Sequence, residues 1–72
     1  MLDFSYENIR RIIAGLPIEY RLVMALSRLE GFSCEELSEL ADIRPDAVGL
    51  AIAQGNRLIY RALLRPRHKA SV

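Results

Sequence analysis

Glycine and proline cut this chain into pieces too short for anything but a handful of small helices. Gly15 and Pro17 stand two residues apart, Gly31 follows after one helix-length, Pro45 after another, and Pro66 lies near the C-terminus. A glycine just past a helix tolerates the left-handed exit, and a proline at the entry of the next lacks an N–H that the first turn does not need. Between these breaks apolar residues recur at three- and four-residue spacing, and no stretch alternates with the period of two that a strand requires. The expected fold is therefore all-α.

The segment from Ser5 to Ala14 carries Ile9, Ile12 and Ile13 on one face, with Ser5 or Asp3 as N-cap and Gly15 as terminator. Pro17 is expected at the first position of a second helix, with Glu19 in its opening turn and an apolar series of Ile18, Leu22, Val23, Leu26 and Leu29 before Gly31. Ser33-Cys34-Glu35-Glu36 spells a capping box, so a third helix begins there and carries Leu37, Leu40 and Ala41 inward. Asp42-Ile43-Arg44 has room only for a turn, and Pro45-Asp46 opens a fourth helix to about Leu64. Along it Val48, Ile52, Gly55, Ile59 and Ala62 alternate spacings of four and three, which places them on one stripe. The expected core comprises Ile9, Ile13, Leu22, Leu26, Leu37, Ile43, Val48, Ile52 and Ile59. The expected organisation is a four-helix domain over residues 1–64 and a flexible basic tail over residues 65–72.

The third and fourth segments, about eight residues, a three-residue turn and a second helix, have the layout of a helix-turn-helix. Leu37, Ala41, Ile43, Val48 and Ala51 fall where two such helices bury side chains against each other. Ser38 supplies a small residue at the crossing, and Asp42 suits a turn position that needs the left-handed conformation.

At 72 residues the chain has room for one small core. Its 51% apolar and 26% charged residues place it among folded chains rather than disordered tails. No apolar run nears the roughly 18 residues of a membrane span, and the start Met1-Leu2-Asp3-Phe4 lacks a signal peptide's basic and apolar regions, so a cytoplasmic location and no membrane partner are expected. A single cysteine, Cys34, and a single histidine, His68, make no metal cluster, and neither a metal nor another cofactor is expected. Cys34 reads as a small, partly buried filler, and Glu35, Glu36 and Glu39 as a helix N-terminus with its solvent face. With no nucleophile–base pair and no phosphate loop, the chain does not read as an enzyme. Net charge is +1, but it is unevenly spread. Residues 1–46 hold nine acids and five arginines, net −4, and residues 47–72 hold Arg57, Arg61, Arg65, Arg67 and Lys69 without an acid. Such asymmetry suits either a nucleic-acid face or cations complementing the end of a helix.

The strings Ile9-Arg10-Arg11-Ile12-Ile13-Ala14-Gly15-Leu16-Pro17, Tyr20-Arg21-Leu22-Val23-Met24, Leu29-Glu30-Gly31-Phe32-Ser33 and Glu35-Glu36-Leu37-Ser38-Glu39 resemble region four of bacterial sigma factors, the extracytoplasmic-function group above all. The leucine–proline pair, the arginine four residues after the proline, the Leu-Glu-Gly-aromatic-Ser turn and the Glu-Glu-apolar-small stretch occur in the family's order. Leu16-Pro17 and Tyr20-Arg21 depart from the Leu-Thr and Arg-Glu pairs of LuxR-type output domains. The resemblance covers about Ile9 to Leu64. It implies a domain that docks its last helix on the promoter −35 element and touches core RNA polymerase.

The pattern breaks where that helix should meet DNA. Family members carry lysine, serine and arginines at the positions held here by Gly49, Leu50, Ala51, Gln54 and Asn56. Phosphates are met by cations and base edges by forked donors and acceptors. Gln54 is left as the one candidate base reader, with Arg44, Arg57 and Arg61 as candidate phosphate contacts and Asn56 nearer the core. Promoter DNA is thus an expected partner, bound weakly in isolation. Leu50 is expected opposite the core stripe, with Ala53 beside it, in a stretch from Ala47 to Ala53 that holds no charge. An apolar surface of that kind tends to be covered. Leu50 and Ala53 are therefore candidate protein contacts. A second reading stays open beside the promoter-binding one. In it, a sigma-like module that has lost specific DNA reading self-associates or binds an anti-sigma factor, the latter as sigma-like modules of certain stress-response regulators do.

Overall fold

The computed structural model describes residues 2–65, and among them four helices follow in order with no strand. Helix α1 spans Tyr6–Ala14, α2 Ile18–Met24, α3 Cys34–Ala41 and α4 Pro45–Leu64, and a π-helical turn, Ala25–Leu29, continues α2. The all-α helix-turn-helix architecture expected from the sequence is the one observed. Of the tail assigned to residues 65–72, everything beyond Arg65 lies outside the described residues.

Local chemistry sets each boundary. Ser5 caps α1, its Oγ accepting from the Asn8 amide at 3.2 Å, and the Gly15 N–H turns back to the Ile12 carbonyl at 3.0 Å. Pro17 is the N-cap of α2 rather than its first helical residue, a shift of one position. The Arg21 guanidinium donates twice to the Leu16 carbonyl, at 3.2 and 3.0 Å, and ties the connection between α1 and α2 to the next turn. The π-helical turn ends at Gly31, whose φ of +80° lets Phe32 donate to the Leu26 carbonyl six residues back. The capping box is complete: Glu36 N–H donates to Ser33 Oγ at 3.1 Å, and Ser33 N–H donates to Glu36 Oε1 at 2.8 Å. Asp42 adopts the left-handed conformation, φ 58° and ψ 46°. Ser38 fastens the turn that follows, since its carbonyl accepts from Ile43 N–H at 3.1 Å and its hydroxyl donates to the Ile43 carbonyl.

The core gathers Ile9, Ile13, Leu16, Met24, Ile59 and Leu63 where α1, α2 and the second half of α4 meet. Leu37 and Val48 are buried where α3 meets the start of α4. Four of the nine expected core residues differ from that picture. Leu22 is 70% exposed and Ile43 48% exposed, and Leu26 and Ile52 are only half-buried. The reason for Leu22 is that α2 carries two apolar stripes. One holds Ile18 and Leu22, and the other, nearly opposite at 100° per residue, holds Tyr20 and Met24. The choice between them is made on α4. Gly55 has no side chain, and a Cβ built there would lie 2.3 Å from Met24 Sδ and 2.6 Å from its Cγ. Only the methionine stripe fits that notch, so Met24 is completely buried and Ile18, at 76% exposure, faces outward with Leu22. On α3 the same geometry buries Leu37 alone; Leu40, at 65% exposure, and Ala41 are exposed rather than inward. No described helix is long and apolar enough to cross a membrane.

Candidate nucleic-acid interface and apolar groove

The outward face of α4 changes character along its length. Leu50 is 61% exposed and Ala53 is exposed beside it, as their distance from the core stripe dictates. Gln54 comes next, then Arg57 and Arg61, both exposed and without an ion-pair partner among the described residues. Arg44 sits at the other end, as the N-cap of α4, and is not free. Its Nε lies 3.2 Å from Asp46 Oδ1, and the guanidinium beside Asp46 holds that carboxyl below its ordinary value. Asp46 Oδ1 also accepts from the Ala47 amide at 2.9 Å, which acts in the same direction, while burial opposes it. Both side chains are largely exposed, so solvent screens the pair.

Neither amide on α4 is free. Tyr20 Oη donates to Gln54 Oε1 at 2.7 Å. Arg28 Nε and one of its terminal nitrogens donate to Asn56 Oδ1 at 2.9 and 2.8 Å. Tyr20, Met24 and Arg28 succeed one another at four-residue spacing along α2 and its π-helical turn, and Gln54, Gly55 and Asn56 are consecutive on α4. The helix crossing is thus a methionine in a glycine notch, flanked by a hydrogen-bonded pair on either side. Sequence reasoning identified Gln54 as exposed and Asn56 as nearer the core, and both are so placed. It missed their partners, because the two residues of each pair lie 34 and 28 positions apart and no local pattern links them.

Arg61 has company that the sequence did not suggest. It lines a cleft of about 400 Å3 together with Arg11, Arg65 and the Gly15-Leu16-Pro17 connection, and no acidic side chain lines that cleft. Arg11 also donates to Asn8 Oδ1 at 2.7 Å, which steadies it on α1. The signal was hidden because Arg11 lies in the half of the chain with net negative charge.

A second surface lies on the other side of the helix-turn-helix. Leu22, Val23 and Leu26 of the α2 arm face Leu37, Leu40 and Ala41 of α3, with Ile43 and Val48 at one end, around a groove of about 270 Å3. Glu19 is its one charged lining residue. Leu22 and Ile43, expected in the core, and Leu40, expected to point inward, are all exposed and form walls of this groove. Cys34 is half-buried with a free thiol, and among the described residues no group of acids, histidines and cysteines could hold a metal ion.

Comparison with the curated proteins and with the solved structures gave no significant match. Comparison with protein families gave sigma-70, region 4, over residues 6–65. The matched span runs from the first residue of α1 to the C-cap of α4, takes in the clamped crossing, the turn at Asp42 and the groove, and makes this chain a member of the sigma-70 region 4 family.

Proposed function

We propose that this domain engages the −35 region of a promoter chiefly through the DNA backbone, with little reading of base sequence, while its apolar groove receives RNA polymerase. The family has a DNA-binding role in transcription initiation and works with RNA polymerase. The observation that carries the backbone reading is the division of labour on α4: Arg57 and Arg61 are exposed and without an ion-pair partner among the described residues, whereas Gln54 is held by α2 and Asn56 by the π-helical turn that continues it. Phosphate contacts fix position and register, and base-edge contacts fix sequence; a face with the first and without the second binds duplexes of many sequences similarly. Arg11 and Arg65, beside Arg61, widen the basic surface toward the C-terminal end of α4.

The groove supports the polymerase contact. An apolar channel between two helices fits an amphipathic helix, which would bury Leu22, Leu40 and Ile43. Leu50 and Ala53 favour the second reading, in which the outer face of α4 meets an anti-sigma factor or another copy of the chain. Leu50 is a large apolar side chain at 61% exposure in an uncharged stretch.

Titration of the chain against duplexes with matched and scrambled −35 sequences tests the promoter reading. The expected result is similar affinity for both, with log K falling against log salt at a slope of roughly −2 to −4, as befits a few arginine–phosphate contacts. Strong preference for one sequence at physiological salt would overturn the backbone reading. Salt-insensitive absence of binding, with Leu50→Asp abolishing a protein contact, would favour the second.

A further inference from the structure

We propose that Tyr20 is a positioning residue that silences the one base-reading side chain of α4, so that the domain's low sequence selectivity is built into the α2–α4 crossing. The proposal rests on the DNA reading above and deepens it. A glutamine distinguishes adenine by a fork: its carbonyl accepts from the base N6 amino group while its amide nitrogen donates to N7. In this structure the carbonyl of Gln54 already accepts from Tyr20 Oη at 2.7 Å. The donor is stiff, because the Tyr20 ring is half-buried and packed against the core, whereas the glutamine is flexible. The side chain that yields is therefore Gln54, drawn back toward α2.

Docking on DNA does not release it without cost. The Gln54 oxygen keeps a second lone pair, but a fork needs oxygen and nitrogen side by side on the base edge, and turning the amide plane that way strains or breaks the Tyr20 bond, whose net worth corresponds to about a two- to tenfold factor. A good base contact contributes roughly 5- to 150-fold to discrimination, so the bond offsets a substantial part of a contact at the weak end of that range. The same crossing holds Asn56 by two bonds from Arg28, which removes the other amide on α4 by the same means. Met24 in its Gly55 notch fixes the two helices at a separation that keeps both pairs within reach.

The test uses the full chain and three variants, Tyr20→Phe, Gln54→Ala and the two combined, in selection from a pool of randomised duplexes at low salt. Phenylalanine keeps the ring and its packing, and circular dichroism checks the fold. The unaltered chain and Gln54→Ala should select the same nearly flat pool. Tyr20→Phe should gain roughly a fivefold to tenfold preference for adenine at one position, and the double variant should lose it. Resonances of the Gln54 side-chain amide should shift in Tyr20→Phe without DNA. A Gln54→Ala variant less selective than the unaltered chain would overturn the proposal, because Gln54 would then be reading while bonded. So would a Tyr20→Phe variant that binds duplex without the adenine gain, or whose Gln54 amide is unchanged. Failure of all four proteins to bind any duplex would be a different result, removing the DNA reading and this proposal together.

Discussion

The two ends of the molecule use the same kinds of residue to opposite effect. Where α1, α2 and the second half of α4 meet, Ile9, Ile13, Leu16, Met24, Ile59 and Leu63 close on one another as one buried cluster. Where α2, α3 and the start of α4 meet, only Leu37 and Val48 are buried, and Leu22, Leu40 and Ile43 stand around a channel. A chain of this length can finish one core. The closed end therefore holds most of the fully buried apolar side chains, and the helix-turn-helix end keeps large apolar side chains in contact with water.

Truncations should expose that contrast most sharply. Ile59→Ala removes a side chain that is 1% exposed and should cost about 2–5 kcal/mol, a large part of the stability of a domain this size. Leu40→Ala, at the open end, should cost less than about 1 kcal/mol, since most of that side chain is already in water. Urea melts of the two variants should differ widely in midpoint; equal losses would mean that the groove side contributes to the core after all.

The next largest effects are expected in binding rather than folding. Leu40→Asp and Leu50→Asp both place a charge on an exposed site and should leave stability within about 0.5 kcal/mol. Leu40→Asp should weaken a polymerase contact seated in the groove, and Leu50→Asp a protein contact on α4, each by about 1.5–3 kcal/mol if the leucine is an anchor. Pull-down of core polymerase by each variant separates the surfaces. Loss with Leu50→Asp and none with Leu40→Asp would reassign the polymerase contact to α4.

The crossing that joins the two ends gives a smaller effect with a sharper signature. An alanine at position 55 favours helix by up to about 1 kcal/mol, yet its Cβ would collide with Met24 Sδ and Cγ. Overpacking typically costs about 1–3 kcal/mol, so a net loss of up to about 2 kcal/mol is expected for Gly55→Ala. Shortening Met24 in the same chain should relieve the clash, and the double variant Met24→Ala/Gly55→Ala should lose less than the sum of its parts. Strict additivity in thermal melts would show that the notch does not select the buried stripe of α2.

How much of this was legible follows from how local each signal is. The four helices, the capping box at Ser33, the turn at Asp42 and the exposure of Leu50 are written in residues a few positions apart, and they read correctly. The buried stripe of α2 is not local. Ile18-Leu22-Leu26 and Tyr20-Met24 are equally plausible inward faces until Gly55, 31 positions beyond Met24, is known to lie opposite. The same distance hid the Tyr20–Gln54 and Arg28–Asn56 pairs, and with them the fact that the amides of α4 are engaged. The arginines of α4 were visible as a composition bias, but the cleft that joins Arg11 to Arg61 and Arg65 needed the packing of α1 on α4.

The smallest expected effect concerns Arg44, the one candidate phosphate contact at the open end that already has a partner. Asp46 lies beside its guanidinium, and the carboxyl is held below its ordinary value by that contact first. A carboxylate lowered in the folded state adds stability above its unfolded pKa and loses it as pH falls through the folded value. Asp46→Asn should therefore slightly flatten the acid limb of the stability curve, below the ordinary carboxylate range, and leave the neutral region almost unchanged because the pair is exposed. The same substitution removes a negative charge from the side of Arg44 and releases it toward a phosphate. Duplex affinity should rise modestly, and the salt slope should steepen by about one. Arg57→Gln, at a position with no partner to release, should shallow the slope by about one. If Asp46→Asn left the slope unchanged while Arg57→Gln shallowed it, DNA would be held by the C-terminal half of α4 alone, and Arg44 would belong to the turn.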